Sequence, residues 1–506
     1  DGRMISHDDF IITPNGFDIP FESEKVHGIS TSLAKRDGVD IITALESFLS
    51  VLDQAEFLVG HNLNFDLKII GAELLRLNKE NTLAEKVILD TCTEETALLC
   101  ELPGGRGGKF KLPTLAELYF FLFQDSFQEA HNATADVEAT ARVFIELIRQ
   151  NKFTQTELQQ STQKVKNVYP DTVPLAGLEH RNLHEETADL VSPQKPEPGV
   201  PEIEAETLPF CHLHTHTQFS VLQSTISIPK LVQKAASMNM SAVAITDIGN
   251  LMGAFHFVKE VNKHNKSLEE GDGNPIKPII GITINVCTNH LDRSHRDDGF
   301  QIILLAKNKN GYHNLAKLTS IAHTKGFYYV PRVDRDLILD HKEDIIVLTG
   351  NLYGEVPYKI LNLGAQQAED SLLWWKEHFG NDLYIELMRH SQDDETRVNI
   401  TLVELANKHN VKMIASNSCY YLEKAEANAH DILLCVKDGE KQSTPIGKGR
   451  GYRYGLPNQE YYFKSPKEMT QLFSDIPEAI HNIQEVIEKI ESFALARDVL
   501  LPKFDI

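Results

Sequence analysis

Three histidines at alternate positions, His212, His214 and His216, are the residues of this sequence best suited to binding a metal ion. Side chains alternate between the two faces of a β-strand, so a strand here points all three imidazoles to one side. Neutral imidazole is the commonest metal ligand in proteins. The spacing therefore predicts a metal site, and the alternative interpretation is a polar strand end with surface histidines.

A second group of residues could hold the metal ions that cleave a phosphodiester. Asp66 follows a predicted strand at the start of a helix, and His131 and Asp136 begin a later helix. Two-metal cleavage needs carboxylates for the ions and a base for the attacking water. Asp66 and Asp136 suit the first task and His131 the second, whereas Asp90 is a less specific candidate. Taken singly, each aspartate could instead be a helix-start residue favoured by the helix dipole.

The elements predicted over residues 1–150 alternate between strands and helices. Strand-like text at 9–13 is followed by strands at 57–60 and 87–90, and by helices at 65–77 and about 133–149. Residues 151–206 are predicted to be a linker, because a stretch with a helical pattern is followed by four prolines within 192–201.

From residue 208 the strand and helix patterns return. The predicted strands are 210–217, 242–247, 277–286, 301–306, 345–349, 382–387 and 411–416, and helices such as 228–237 and 396–408 separate most of them. About seven parallel strands with crossover helices indicate a closed barrel. Residues 501–506 are expected to be a connector to a further domain.

Composition sets the general class of the protein. At 506 residues the chain is too long for one core, and its net charge of −22 argues against non-specific nucleic-acid binding by the whole surface. A local basic groove, or an acidic metal site that acts on DNA, stays compatible with this charge. Six scattered cysteines without a CxxC pair indicate reduced thiols in the cytoplasm. No apolar run reaches the roughly 18 residues of a membrane span, no signal peptide is visible, and we expect a fragment because the chain does not begin with Met.

The text Gly60-His-Asn-Leu-Asn-Phe-Asp66, with His131 and Asp136, resembles the DnaQ-like, DEDDh family of 3′–5′ proofreading exonucleases over about residues 1–150. The resemblance implies a ribonuclease H-like fold, Mg²⁺ or Mn²⁺ held by Asp66 and Asp136, catalysis by these and His131, and substrate binding by Asn62 and Phe65. The family's first motif, Asp-x-Glu on the opening strand, does not precede Asp66. Its two carboxylates bridge the metals in the family, so we expect a fold truncated at its N-terminus and little or no exonuclease activity from this chain alone.

Residues 207–500 resemble the PHP (polymerase and histidinol phosphatase) family, a distorted (β/α)7 barrel with up to three metal ions at its rim. His214 and His216 match the family's paired histidines, and His390 matches a later histidine. Asp247 matches the aspartate of Thr-Asp-His, and here we expect it to support the ligands rather than to bind the metal itself. Side chains that bind metals poorly stand at the other ligand positions: Gln223, Ile248, Thr283, Gln301, Ser418 and Tyr420. We therefore expect a metal-free barrel kept for structure and contacts. The alternative is one residual Zn²⁺ on His214, His216 and His390.

The order of the two regions resembles the family of bacterial DNA polymerase III alpha subunits, in the Bacteroidetes-type lineages that carry the exonuclease at the N-terminus. The resemblance implies a cytoplasmic DNA-directed DNA polymerase with proofreading, whose palm lies beyond residue 506. It also implies primer-template DNA and replicase subunits such as the sliding clamp as partners, and no membrane. The alternatives are a metal-dependent PHP phosphoesterase and a non-catalytic scaffold. The Gly104–Lys109 loop is a weak phosphate-cradle candidate, and a solvated loop is the expected interpretation.

Overall fold

The chain divides into two compact units, unit 1 at residues 1–196 and unit 2 at residues 197–506. The computed structural model describes residues 4–104, 109–127, 132–153, 156–158, 162–169, 171–174, 176–178, 181–191, 207–268, 273–447 and 451–496. Four predictions fall wholly or partly outside the described residues: His131, the proline-rich stretch 192–201, residues 105–108 of the glycine-rich loop, and the connector 501–506.

Unit 1 is built from helices around a short parallel sheet. Its elements are α1 Phe21–His27, α2 Thr31–Asp37, α3 Ile41–Gln54, β1 Phe57–Gly60, α4 Leu63–Arg76, β2 Val87–Asp90, α5 Glu94–Cys100, α6 Leu115–Phe123, α7 Ala133–Arg149, α8 Gln163–Val168 and α9 Leu183–Val191. In β1, Leu58 packs into a cluster with leucines of α3 and α4, whereas Phe57 and Val59 pack against α6 and α7. Alternating side chains thus give the sheet a helical layer on each face.

The predicted strands 57–60 and 87–90 and the helix 133–149 are confirmed, and α4 begins at Leu63, two residues before its predicted start. The predicted strand at 9–13 is wrong. Only Ile12 forms an isolated bridge, with Val39. Val39 lies in the short connection between α2 and α3 rather than in a strand, so in the described part of the chain the ladder ends at this one bridge.

Unit 2 consists of a curled sheet and the helices that pack around it. Its elements are α10 Ile228–Ser237, β3 Ala242–Ile245, α11 Ala254–Ser267, β4 Lys277–Cys287, β5 Phe300–Ala306, α12 Lys309–Thr324, β6 Arg332–Asp334, α13 Arg335–Asp340, β7 Ile345–Leu348, α14 Glu355–Asn362, α15 Ala365–Phe379, β8 Leu383–Met388, α16 Asp393–His409, β9 Lys412–Ser416, α17 Ala427–Asp438, α18 Pro466–Leu472 and α19 Glu478–Glu488. In the described part of the chain, no helix has the length and apolar character to cross a membrane.

The sheet of unit 2 has the order β3-β4-β5-β7-β8-β9, and β6 pairs with β4. The prediction that all its strands are parallel is wrong, because β5 runs antiparallel to both β4 and β7. A buried apolar strand has the same composition whether it runs parallel or antiparallel to its neighbours, so its sequence does not reveal its direction.

The histidine segment 212–216 is extended but is not the predicted regular strand. Its backbone bonds to β3 through Ala244 N–H to His212 O, 2.9 Å, and it bonds beyond β9 through His216 N–H to Cys419 O, 3.0 Å. One bridge, between Thr215 and Cys419, is the only ladder contact assigned to it among the described residues. The segment therefore connects the β3 and β9 edges of the sheet and distorts the barrel.

Candidate functional site

The two strands of unit 1 bring their carboxyl ends together, since Gly60 pairs with Asp90 in the parallel register. Helix α4 begins directly after β1 and carries Asp66 in its first turn, and α7 carries Asp136 in its first turn. Side chains at the carboxyl ends of parallel strands are where α/β proteins build their sites.

Asp90 lies close enough to Asp66 and His61 to shift the pKa of each. Partial desolvation and the carboxylate of Asp90 raise the pKa of Asp66. Burial lowers the pKa of His61, and the charges of Asp90 and Asp136 oppose that shift. Asp90 therefore lies within electrostatic range of both Asp66 and His61, and Asp136 lies within electrostatic range of His61. The joint role of Asp66 and Asp136 stays a prediction.

Asp90 is an anchor for the local backbone. Its two oxygens accept hydrogen bonds from the N–H groups of Asn62, Leu63 and Cys92 at 2.8–2.9 Å. A carboxylate at a helix start satisfies N–H groups that have no partner within the helix. Asp90 thus fixes the turn from β1 into α4, and with it the position of Asp66.

Asn62 and Phe65 lie on the same turn as Asp66. Asn62 has a left-handed backbone, φ 62°, which Asn tolerates better than most residues. The Phe65 ring is 64% exposed beside Asp66. An exposed aromatic ring next to a carboxylate can stack on a base while the carboxylate faces a phosphate.

The described donors of unit 1 fit part of a divalent metal site. Within the described residues, no three His, Cys, Asp or Glu side chains are placed to hold a metal ion. Mg²⁺, however, is commonly held by one or two carboxylates, with water and substrate phosphate completing its octahedron. Asp66 alone meets the lower of these numbers, and Asp136, in the first turn of α7, is the candidate for a second carboxylate.

In unit 2, His214 and His216 are buried side by side with ring centroids 5.0 Å apart. His214 Nδ1 lies 3.1 Å from Oε1 of Glu386 on β8, and its Nε2 lies 3.5 Å from the Ser418 hydroxyl. The second Glu386 oxygen accepts a hydrogen bond from Gly350 N–H at 3.0 Å. The pairing of His214 and His216 was predicted, whereas the contact between His214 and Glu386 was not.

His216 is fully buried, and neither of its ring nitrogens has a hydrogen-bond partner in the described part of the chain. Burial, followed by the neighbouring His214, lowers the pKa of His216 well below its ordinary value. His216 is therefore neutral at neutral pH, with one ring face stacked on Tyr420 at 4.5 Å.

His390 lies at the far end of a series of ring contacts. Tyr420 contacts Tyr461 at 6.2 Å, and Tyr461 stacks on His390 at 4.1 Å. His390 Nδ1 lies 2.6 Å from Glu395, while its buried Nε2 has no partner among the described residues. Two tyrosine rings thus separate His216 from His390 along this series, and the three histidines form no metal cluster in the described residues.

His212 does not join the other two histidines, which corrects the prediction that all three face one site. It packs between Phe210 and Phe463, and its Nε2 lies 2.8 Å from the carbonyl oxygen of Lys464. Burial lowers its pKa to about 3. His212 is a neutral core residue, because the irregular segment 212–216 does not keep strand alternation.

The Asp247 carboxylate stabilises a turn through hydrogen bonds. Its carboxylate accepts hydrogen bonds from Thr217 N–H at 2.6 Å, from the Thr217 hydroxyl at 2.7 Å and from the Ser220 hydroxyl at 2.7 Å. Burial raises the pKa of Asp247, and these donors oppose the shift. Among the described residues, the hydrogen-bond partners of the Asp247 carboxylate all belong to the turn 217–220.

The substituted ligand positions make ordinary structural contacts. Thr283 donates its hydroxyl hydrogen to Thr246 O, Ile248 bridges to Thr283, the Gln223 carbonyl lies 2.8 Å from His430 Nε2, and Gln301 N–H donates to Tyr353 O. The sequence reasoning missed Glu395 and Tyr461. Glu395 had a weak signal, as an acidic residue in the first turn of the helix that follows His390, whereas Tyr461 had none.

Comparisons with known proteins match two separate regions of the chain to two different families. Residues 2–144 match the family model described as Exonuclease, and residues 212–390 match that of the PHP domain. The chain is 37% identical over 302 residues to the DNA polymerase III subunit alpha of Borreliella burgdorferi, covering 59% of this chain and 25% of that protein. It is 35% identical over 292 residues to the Campylobacter jejuni subunit, covering 55% and 23%.

Among solved structures, an amidohydrolase from Chromobacterium violaceum is similar over 42% of this chain and 87% of its own, with a TM-score of 0.27 and 12% identity. A match at this level carries no argument about function. The chain spans about a quarter of the length of the curated relatives it matches. The chain has a region that matches an exonuclease domain, followed by one that matches a PHP domain, and it is similar to bacterial DNA polymerase III alpha subunits over 55–59% of its length.

Proposed function

We propose that this chain is the N-terminal part of a replicative DNA polymerase III alpha subunit. An exonuclease domain and a PHP domain occur in one chain, and its relatives carry that name. In this proposal the whole protein extends primers on a DNA template together with other replicase subunits such as the sliding clamp, and it excises mismatched 3′ ends.

The exonuclease role rests on Asp66 in the first turn after β1, on Asp90 at the end of β2 and on Asp136 in the first turn of α7. Asp66 and Asp136 would hold Mg²⁺ or Mn²⁺, which supplies positive charge to the attacking and leaving oxygens of the phosphodiester. Phe65 stacks on the terminal base and Asn62 orients the nucleotide. His131, from its place in the sequence, takes the proton from water. Asp90 keeps Asp66 in position through its three backbone hydrogen bonds.

The test is 3′–5′ digestion of a mismatched primer with Mg²⁺ or Mn²⁺. The chain as printed is compared with a version extended upstream by its own genomic sequence, each with and without Asp136→Ala. Glu56→Ala is the matched control, because Glu56 lies just before the opposite end of β1. We expect activity chiefly in the extended form, abolished by Asp136→Ala and kept in Glu56→Ala. Digestion that survives Asp136→Ala, or none in any form, contradicts the proposal.

For unit 2 we propose a catalytically silent barrel that serves structure and contacts. Ser418 and Tyr420, two neutral residues at ligand positions named from the sequence, contact the histidines. Glu386, the carboxylate that contacts the His214 ring among the described residues, accepts a hydrogen bond from Gly350 N–H. A cation there would meet few free anions, and aromatic rings occupy the neighbouring space.

One observation favours the residual zinc alternative. Within the described residues, His216 has two ring nitrogens without a hydrogen-bond partner and His390 has one. A buried unpaired nitrogen costs about 1–3 kcal/mol unless water or an ion binds it. The measurement is zinc content after purification without added metal. We expect well below one zinc per chain, with ordered water satisfying these atoms. One tightly bound zinc per chain that His216→Ala removes would favour the metal site.

A further inference from the structure

A half-buried histidine directly after β1, His61, belongs neither to the proposed metal ligands nor to the proposed DNA-binding residues of unit 1. Its Nε2 lies 3.1 Å from the carbonyl oxygen of Pro113, and its Nδ1 lies 2.9 Å from the Thr91 hydroxyl. A carbonyl oxygen only accepts hydrogen bonds, so Nε2 carries the hydrogen and donates it to Pro113. Gly60 O lies 3.1 Å from the Thr91 hydroxyl, but it already accepts the Thr91 N–H at 2.9 Å. The hydroxyl can therefore donate to Nδ1, which satisfies both ring nitrogens of neutral His61.

These two bonds connect three segments of unit 1. His61 begins the turn between β1 and α4, and Thr91 directly follows β2. Pro113 directly precedes Thr114, whose side chain caps the start of α6. Without the ring, the Pro113 carbonyl would keep the Cys92 thiol at 3.6 Å, a weak donor, as its partner among the described residues. One ring thus holds the ends of two strands and the start of a helix together.

The connection adjoins the turn that carries the proposed DNA-binding residues. Asn62 follows His61 directly and has a left-handed backbone, φ 62°, which persists only where the surrounding structure holds it. Asp90 restrains this turn by accepting the N–H groups of Asn62 and Leu63. The turn is thus restrained through its backbone by Asp90 and through a side chain by His61.

Burial keeps the His61 ring neutral. Desolvation lowers the pKa of His61, although the hydrogen bond to Pro113 O and the charges of Asp90 and Asp136 oppose the shift. A neutral ring contributes hydrogen bonds and shape rather than a charge for a phosphate. Both ring nitrogens are bonded within the protein, so neither is free to take a proton from water. His61 is therefore suited to holding other residues in place and unsuited to being the base.

We propose that His61 is a positioning residue of the exonuclease, and that its two hydrogen bonds fix the turn from which Asn62 and Phe65 contact the terminal nucleotide. The inference rests on the proposed exonuclease role and adds a residue that contacts neither the metal ions nor the substrate. Because Asp66 keeps its support from Asp90, loss of the ring should impair binding of the primer end more than the chemical step. In His61→Ala the KM for the primer should rise about tenfold, which is part of what stacking on one base contributes, while kcat changes by less than about threefold.

The experiment is digestion of a mismatched primer with Mg²⁺ by the chain extended upstream, over a range of primer concentrations that separates KM from kcat. His61→Gln keeps a side-chain N–H that can reach Pro113 O, so it should recover part of the loss. Thr91→Val removes the hydroxyl at Nδ1, and in a double-mutant cycle its effect should not add to that of His61→Ala. His378→Gln is the matched control and should leave KM unchanged, since His378 is a partly buried histidine of unit 2 whose Nδ1 lies 2.8 Å from Trp374 O.

Hydrogen exchange measures the structural link separately from activity. Peptides that cover residues 61–63 and 109–117 should exchange faster in His61→Ala than in the parent chain, and His378→Gln should not change them. An unchanged KM in folded His61→Ala, a loss confined to kcat, or a His61→Gln variant no better than alanine overturns this proposal and leaves the exonuclease proposal intact. If His61→Ala does not fold, His61→Gln and Thr91→Val carry the same comparison. If the extended parent digests no primer, the exonuclease proposal fails and the role of His61 fails with it.

Discussion

Replacing Asp247 with alanine should destabilise unit 2 strongly, because this buried carboxylate is the acceptor for three donors of the turn 217–220. In Asp247→Ala, the Thr217 N–H and the hydroxyls of Thr217 and Ser220 lose their acceptor. The same change would have little effect on folding if Asp247 only assisted a metal ion, since the turn would then have other supports.

The magnitude follows from the three bonds. Each charge-assisted bond contributes about 1.5–3 kcal/mol, and a buried donor without an acceptor costs about 1–3 kcal/mol. The two hydroxyls can rotate toward other acceptors, whereas the Thr217 N–H cannot. We therefore expect a loss of about 3–4 kcal/mol in the free energy of unfolding for Asp247→Ala. Asp247→Asn keeps one acceptor oxygen and should lose about half as much.

Unit 2 offers a selective probe for this measurement. The chain has two tryptophans, Trp374 and Trp375, and both lie on α15 in unit 2. Urea unfolding followed by tryptophan fluorescence therefore reports unit 2 without a signal from unit 1. Asp298→Ala, which removes an exposed ion pair, is the control and should change stability by less than about 1 kcal/mol. A loss below about 1 kcal/mol in Asp247→Ala, or a stability of the parent that falls in EDTA, would refute the structural role.

Three further variants test the packing of unit 2 by the same unfolding assay. Burial opposes ionisation of Glu485, but bonds from Lys412 and Tyr384 help hold its pKa at about 2, below the usual 4.5. The stabilising contribution of Glu485 is therefore complete above about pH 4.5 and is lost as pH falls toward 2. Glu485→Gln should flatten the acid side of the plot of unfolding free energy against pH. An unchanged plot contradicts this expectation. Glu355→Ala should lower the free energy of unfolding by about 3–5 kcal/mol, because the donors bonded to this buried carboxylate lose their acceptor. Glu355→Gln should lower it less. Arg332→Met should cost about 2–4 kcal/mol, because the buried guanidinium is the donor for several loop carbonyls; a loss under 1 kcal/mol would show that water replaces it.

Local sequence patterns predicted most elements, because the periodicity of apolar residues records which side of an element is buried. Helix α10 at Ile228–Ser237 and strand β2 at Val87–Asp90 lie at their predicted residues. The three-residue strand β6 was missed, since a strand of that length has no detectable period and contains the buried Arg332. The direction of β5 was also missed, because strand direction depends on which neighbours the chain reaches.

The sequence by itself determined the order of the two domains, the positions of Asp66 and Asp136 in the first turns of two helices, and the contact between His214 and His216. These follow from strand ends and from residues close together in the chain, which local geometry controls. Only the tertiary structure decided that His212 is a core residue and that Asp247 holds a turn. It alone brought Tyr420 and Tyr461 into the ring series between His216 and His390. Residues 216, 390, 420 and 461 come from distant parts of the chain, and their contacts depend on how the barrel closes, which no local pattern records.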